Sequence, residues 1–363
     1  MILLDSHCDT PSQLLRCRVM EEDNAYGHVD FPKLIRGGVD ACFFALYTSN
    51  QLSVSESTRL ALRMLAATEE VVARNSSVAA MATDPSEIVA NKAAGKVSIF
   101  LGMENGSPVG TDLNLLRLYY RMGVRYLTLT HNGDNDICDS AAVGKRWNGL
   151  SPFGREVVAE MNRLGMIVDI AHCSDKTFWD CIELSKAPIV TTHSCCRALA
   201  SHRRNLTDDM IRALSEKGGV IQINFYPLFL SDRFAEELKR DGIGDAAEAA
   251  DTAFRAHPSD PELTRRWHEA QDRLKTLWRP GVKEVVDHID HAVAVGGIDH
   301  VGIGTDFDGI EVPPEGLEDI SMLPKVFEEM RRRGYDEASI AKVAGGNFIR
   351  VFEEVKKTSR SLS

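Results

Sequence analysis

The sequence contains no apolar run approaching the roughly 18–20 residues that a membrane-spanning helix needs. It has no Cys-x-x-Cys pair, although eight cysteines are present and two of them, Cys195 and Cys196, are adjacent. In a chain this long, that pattern argues against a disulfide framework and for reduced thiols in a cytoplasmic protein. Ile2–Leu4 runs directly into polar Asp5–Asp9, leaving no length for the apolar region of a secretion signal. Basic residues are outnumbered, 42 Lys and Arg against 53 Asp and Glu. The formal charge of -11 argues against nucleic acid and anionic membrane as general partners. A glycine-rich phosphate loop after the first apolar segment is also missing, which disfavours a doubly wound nucleotide-binding sheet.

What the sequence has is a rhythm. Its 363 residues are 44% hydrophobic, enough for one large core. Short, nearly continuous apolar segments occur at Ile2–Asp5, Ala41–Tyr47, Val97–Leu101, Tyr126–Thr130, Met166–Ala171, Ile189–Thr192, Val220–Phe225 and Val301–Gly304. Buried parallel strands read this way. Helical patterns lie between them and carry their own punctuation. Asp84-Pro85-Ser86-Glu87 predicts an N-cap with a capping-box Glu, and Gly95 a stop. Ser151-Pro152 opens a second helix that Gly165 ends, and Thr207 opens a third before Gly218-Gly219. Eight strands alternating with helices predict an α/β fold, a single (β/α)8 TIM-type barrel over 1–363. The charged stretch 231–280, broken around His257-Pro258-Ser259-Asp260-Pro261, is expected to be a helical insertion after the seventh strand, serving as a lid or dimer contact.

Such a barrel gathers reactive groups at the C-terminal ends of its strands. The first strand leads to His7 and Asp9, the third to Glu104, the fourth to His131, the fifth to His172, the sixth to His193 and the eighth to Asp306 and Asp308. A lone histidine at a strand exit is usually ordinary; four of them at one end of the barrel, with several acids, point to metal. Imidazoles and carboxylates suit Zn²⁺. His7 and Asp9 can serve one ion, His172 and His193 another, and Glu104 can bridge them with its two oxygens. Two ions roughly 3.5–4 Å apart would share and acidify a water. A single ion on His7, Asp9, His172 and His193 fits the spacing as well.

The stretches DSHCDTPSQLL, FLGMENG, RYLTLTHN, GLSPFGREVVAEMNRLGMIVDIAHCS, APIVTTHS, SHRRNLTDDM and GIGTDFDG resemble the membrane (renal) dipeptidase family. These are dinuclear zinc peptidases of the amidohydrolase-like, metal-dependent hydrolase barrels, and the resemblance runs from Asp5 to about Phe352. It implies one zinc on His7, Asp9 and Glu104, and a second on Glu104, His172 and His193. It further implies that His131 contacts the scissile carbonyl, that Arg204 binds the substrate carboxylate, and that Asp306 handles the proton for a metal-bridging hydroxide. Most other amidohydrolases place a carboxylated Lys where His131 stands. The family's tolerance of D-residues at the C-terminal position makes mixed-chirality dipeptides expected substrates. The resemblance is to its soluble bacterial branch, and a homodimer is one expected assembly.

Three readings compete on the sequence: a zinc dipeptidase, another metal-dependent amidohydrolase acting on N-acyl amino acids or cyclic amides, and a catalytically dead binding barrel. The presence of every expected ligand disfavours the third, and Arg204 separates the first two. Asp308 is the rival to Asp306. Cys8 and Cys173 are expected to turn away from the site, His288 and His291 to be solvated or to cap, and Tyr226 to pack. Asp169 is a candidate to orient a metal-bound histidine.

Overall fold

A computed structural model describes residues 1–239, 242–257 and 259–362. Arg240, Asp241 and Pro258, which fall within the expected insertion, and Ser363 lie outside the described residues. The strands are β1 (Leu4–Cys8), β2 (Ala41–Tyr47), β3 (Ala79–Met81), β4 (Val97–Glu104), β5 (Val124–Thr128), β6 (Ile167–Asp169), β7 (Val190–Ser194), β8 (Val220–Ile223) and β9 (Val301–Ile303). All pairings are parallel, in the order β1-β2-β4-β5-β6-β7-β8-β9. The ends meet where Cys8 bridges Phe307, with the Asp9 amide donating to the Phe307 carbonyl at 2.8 Å and the Asp306 amide to the His7 carbonyl at 3.0 Å. The expected TIM-type barrel is the observed fold, and its closure sets Asp306 beside His7 and Asp9.

Several boundaries differ from the sequence reading. A ninth strand, β3, was not expected; it is three residues long and pairs only with Val97–Ile99 at the start of β4. The first strand begins at Leu4 and continues through Cys8, because Asp5 finds buried donors inside the sheet rather than in solvent. The Thr305 hydroxyl and amide donate to its carboxylate at 2.6 and 3.0 Å. The β1–β2 register shifts between Asp5 and Cys8, the kind of irregularity that re-aims side chains at a strand end. The helix expected to follow Asp84 starts at Glu87 instead. Asp84 turns back on the Ser86 amide, while Glu87 accepts from the Thr83 and Asp84 amides. The helix Pro152–Leu164 matches expectation, capped by Ser151 and stopped by left-handed Gly165.

Three packing layers result. One core lies between the sheet and its surrounding helices. A second fills the lower barrel, where Phe43, Phe100 and Tyr126 stack above Phe348 and Phe352 of the C-terminal helix Asn347–Leu362. Gly102 is required here, since a methyl group at that position would collide with the Tyr126 ring. The third belongs to the excursion after β8, whose helices Asp232–Lys239, Ile243–Ala256 and Pro261–Lys275 bury Phe234, Ala247 and Leu274 together with Val312.

Candidate metal centre

The donor atoms converge at the C-terminal mouth of the barrel. Glu104, the last residue of β4, presents different oxygens to two sets of ligands. On one side its Oε1 lies 3.0 Å from His172 Nε2 and 3.5 Å from His193 Nε2, and those two nitrogens are 2.9 Å apart. On the other side its Oε2 is 3.6 Å from His7 Nε2, which is itself 3.6 Å from Asp9 Oδ2. His131 Nε2 stands 3.9 Å from Glu104 Oε1. His7, Asp9 and Asp306 also share donor atoms within 4.8 Å of one another. The structure therefore brings all the sequence-predicted ligands together.

The donor set suits a cation. His7 Nε2 and Asp9 Oδ1 are buried, with no hydrogen-bond partner among the described residues. Burial, reinforced by the Asp9 carboxylate, pushes Glu104 up to about 7, and burial pushes Asp306 well above the usual carboxylate range. Burial holds His172 and His193 well below an ordinary imidazole, which favours the neutral rings that a metal would require. His7 goes the other way: although burial opposes its charging, the Glu104 and Asp9 carboxylates draw it up. Nitrogen and carboxylate donors around such a negative hollow fit Zn²⁺.

The backbone bends to achieve this. His172 and Asp306 both adopt left-handed φ, 66° and 63°, a conformation uncommon for non-glycine residues. Gly309 closes the Asp306–Gly309 turn against the site; a methyl group there would strike Asp9 Oδ2 and Asp306 Oδ1. Asp306 and Asp308 are separated by their partners. Both line the cavity, but Asp306 Oδ2 accepts only from Asn224 Nδ2, at 3.0 Å, among the hydrogen bonds of the described residues. Asp308 accepts from Arg18 at 3.2 Å, from the His28 amide at 3.0 Å and from Thr10 at 2.9 Å. Although burial opposes it, Arg18 holds the Asp308 carboxyl below its ordinary value.

Arg204 is 6% exposed, not a surface arginine. Its Nη2 donates to the His193 carbonyl at 3.3 Å, its guanidinium sits over the Phe229 ring, and its Nε has no partner among the described residues. The acids that begin the following helix do not pair with it: Asp208 is 2.7 Å from His291 Nε2 and Asp209 accepts from Arg212 at 2.7 Å. A cavity of about 920 Å³ opens over the centre, lined by Asp9, Glu104, His131, His172 and Asp306. Phe234, Leu238 and Leu274 of the excursion form its far wall, so that segment roofs the site. Tyr226 also lines the cavity rather than only packing.

His288 is neither solvated nor a ligand. It is buried, accepting from the Cys196 amide at 3.0 Å and lying 3.2 Å from the Leu230 carbonyl. Cys8 and Cys173 do turn away, towards Cys42 and Cys138, and all eight cysteines are free. Sequence reasoning did not find Asn132, Thr192 or Asn224 as supports of the site. Asn132 Oδ1 is 3.0 Å from His172 Nδ1. A polar residue next to a candidate site histidine at a strand exit is the only signal the first two offered.

Fold and centre together define a barrel metallohydrolase. The membrane dipeptidase (peptidase family M19) model matches residues 1–363, and the chain belongs to that family. It is a dipeptidase of the metallopeptidase type. It is 32% identical over 361 residues to dipeptidase aclJ of Aspergillus oryzae, covering 97% of this chain and 76% of that protein. The probable dipeptidase PvdM of Pseudomonas aeruginosa superposes with a TM-score of 0.84 at 29% identity, covering 99% of this chain and 96% of that one. A metallo peptidase of Rhodobacter sphaeroides, liganded with a phosphinate mimic of the dipeptide L-Ala-D-Ala, superposes with a TM-score of 0.80 at 26% identity, covering 98% and 99%. Among the described residues no helix is long and apolar enough to cross a membrane.

Proposed function

We propose that the chain is a zinc-dependent dipeptidase with two ions, one held by His7, Asp9 and Glu104 and the other by Glu104, His172 and His193. The observation that carries this reading is the division of the Glu104 carboxylate, Oε2 towards His7 and Oε1 towards His172 and His193. When bound, the ions supply Lewis acidity and a water acidic enough to attack the scissile carbonyl at neutral pH. The protein's own groups do the rest. Arg204 docks the substrate's C-terminal carboxylate with donors that burial has stripped of water. His131, on the cavity wall, donates to the carbonyl oxygen as negative charge develops there. Asp306, held by Asn224, accepts the proton from the attacking water and returns it to the leaving amine. Tolerance of a D-residue at the C-terminal position is supported by the L-Ala-D-Ala mimic bound to the Rhodobacter sphaeroides relative. A cytoplasmic location agrees with the free thiols.

The Arg204 contact provides the test against a general amidohydrolase. A charge-assisted hydrogen bond contributes about 1.5–3 kcal/mol, or roughly 10- to 150-fold in rate. Amidating the dipeptide's C-terminus is therefore expected to cost wild-type kcat/KM about tenfold or more. Arg204→Ala should start low and lose little further on amidation, because both changes remove one contact. Equal cleavage of free and amidated dipeptides by the wild type would remove Arg204 from the carboxylate site and favour the amidohydrolase reading.

A further inference from the structure

Below the ligands lies a buried polar group to which the mechanism assigns no role. Asp169 ends β6 with its carboxylate fully buried. Its Oδ1 accepts from the amides of Ala171 and Thr192, at 3.0 and 2.9 Å. Its Oδ2 takes the hydroxyls of Thr128, from β5, and Thr192, from β7, at 2.5 and 2.7 Å. The Thr192 oxygen in turn lies 2.9 Å from His193 Nδ1 and 3.4 Å from His7 Nδ1. Those two imidazoles belong to different ion sites in the proposed assignment.

A threonine hydroxyl has one proton to give. We infer that Asp169 claims that proton and so makes Thr192 an obligate acceptor towards His193 and His7, fixing Nδ1–H on both rings and leaving both Nε2 lone pairs for metal. Asp169 and Thr192 are thus positioning residues that tie the two ion sites to one carboxylate. His193 has Thr192 as its Nδ1 partner, whereas His7 Nδ1 is also 2.8 Å from the Tyr126 hydroxyl. The dependence is therefore steeper at His193. This inference rests on the two-ion reading above and goes beyond it by naming what sets the ligand tautomers.

The tautomer logic makes a specific demand on substitutions. Asp169→Asn keeps the shape but presents an amide where the acceptor stood. The Thr192 proton is then free to turn towards Nδ1, which selects the tautomer whose Nε2 carries hydrogen and cannot ligate. Thr192→Val keeps the volume and deletes the hydroxyl; Thr192→Ser keeps the hydroxyl. Outer partners of metal-bound histidines are typically worth 10- to 100-fold in affinity.

The experiment is zinc titration of chelator-stripped protein against a competing fluorescent chelator, with circular dichroism and thermal melts of the same samples. Thr192→Val and Asp169→Asn should bind zinc about 10- to 100-fold more weakly, and Thr192→Ser within about threefold of wild type. Wild-type affinity in a folded Thr192→Val protein overturns the inference, as does a Thr192→Ser defect equal to that of Thr192→Val. Should Asp169→Asn fail to fold, the threonine pair alone decides. If the wild type itself binds no zinc, the two-ion reading fails; if wild type and variants bind alike, only this inference does.

Discussion

Replacing Asp306 with Asn is expected to lower kcat by roughly 10²- to 10⁴-fold, the usual worth of a positioned general acid–base, with metal content near that of the wild type. The side chain keeps its size and its contact with Asn224, but it loses the oxygen that accepts a proton. KM should change little, since the carboxylate contact through Arg204 is untouched. Asp308→Asn is the matched control. That carboxylate is committed to Arg18, His28 and Thr10, so its loss should lower Tm while leaving most of kcat. Normal turnover in Asp306→Asn together with a dead, folded Asp308→Asn would reverse the assignment. Steady-state kinetics, elemental analysis and melting curves on the two variants decide it.

The second large effect falls on Glu104. Wild-type protein is expected to hold about two zinc ions per chain, and Glu104→Ala to fall below one with activity reduced to near background. Its two oxygens face different ligand sets, so one substitution weakens both. Dialysis against a chelator should abolish wild-type activity and zinc should restore it; Glu104→Ala should not recover under the same conditions. Elemental analysis finding a single ion in fully active wild type would exclude the shared-carboxylate arrangement.

Much of this site was legible before any coordinates. His7, Glu104, His131, His172 and His193 each follow an apolar segment, and a parallel barrel turns that local pattern into a common location. The barrel itself followed from the same alternation. What sequence could not supply was partnership across distance. Asp306 and Asp308 are two residues apart and locally equivalent; Arg18, remote in sequence, ties one of them down, and Asn224 orients the other. The relation between Asp169 and Thr192 depends on β6 lying beside β7 and on a hydroxyl pointing into the barrel wall, neither of which has a local signature. Strand β3 was missed because three residues with one pairing partner carry too little periodicity to register. The start of the helix at Glu87 was misplaced because Asp84 and Glu87 satisfy amides ahead of the helix, mimicking a cap.

The excursion after β8 has a small hydrophobic core of its own, built on Phe234, Ala247 and Leu274, yet supplies none of the metal ligands proposed here. It touches the chemistry by lining the cavity over the centre with Phe234, Leu238 and Leu274. Substitutions on its cavity-facing side can therefore reshape the space above the centre without removing any of the proposed ligands. Replacing Phe234, Leu238 or Leu274 with Ala is accordingly expected to change which dipeptides are cleaved while zinc content stays at the wild-type value, a separation that a substrate panel and elemental analysis on the same samples would read.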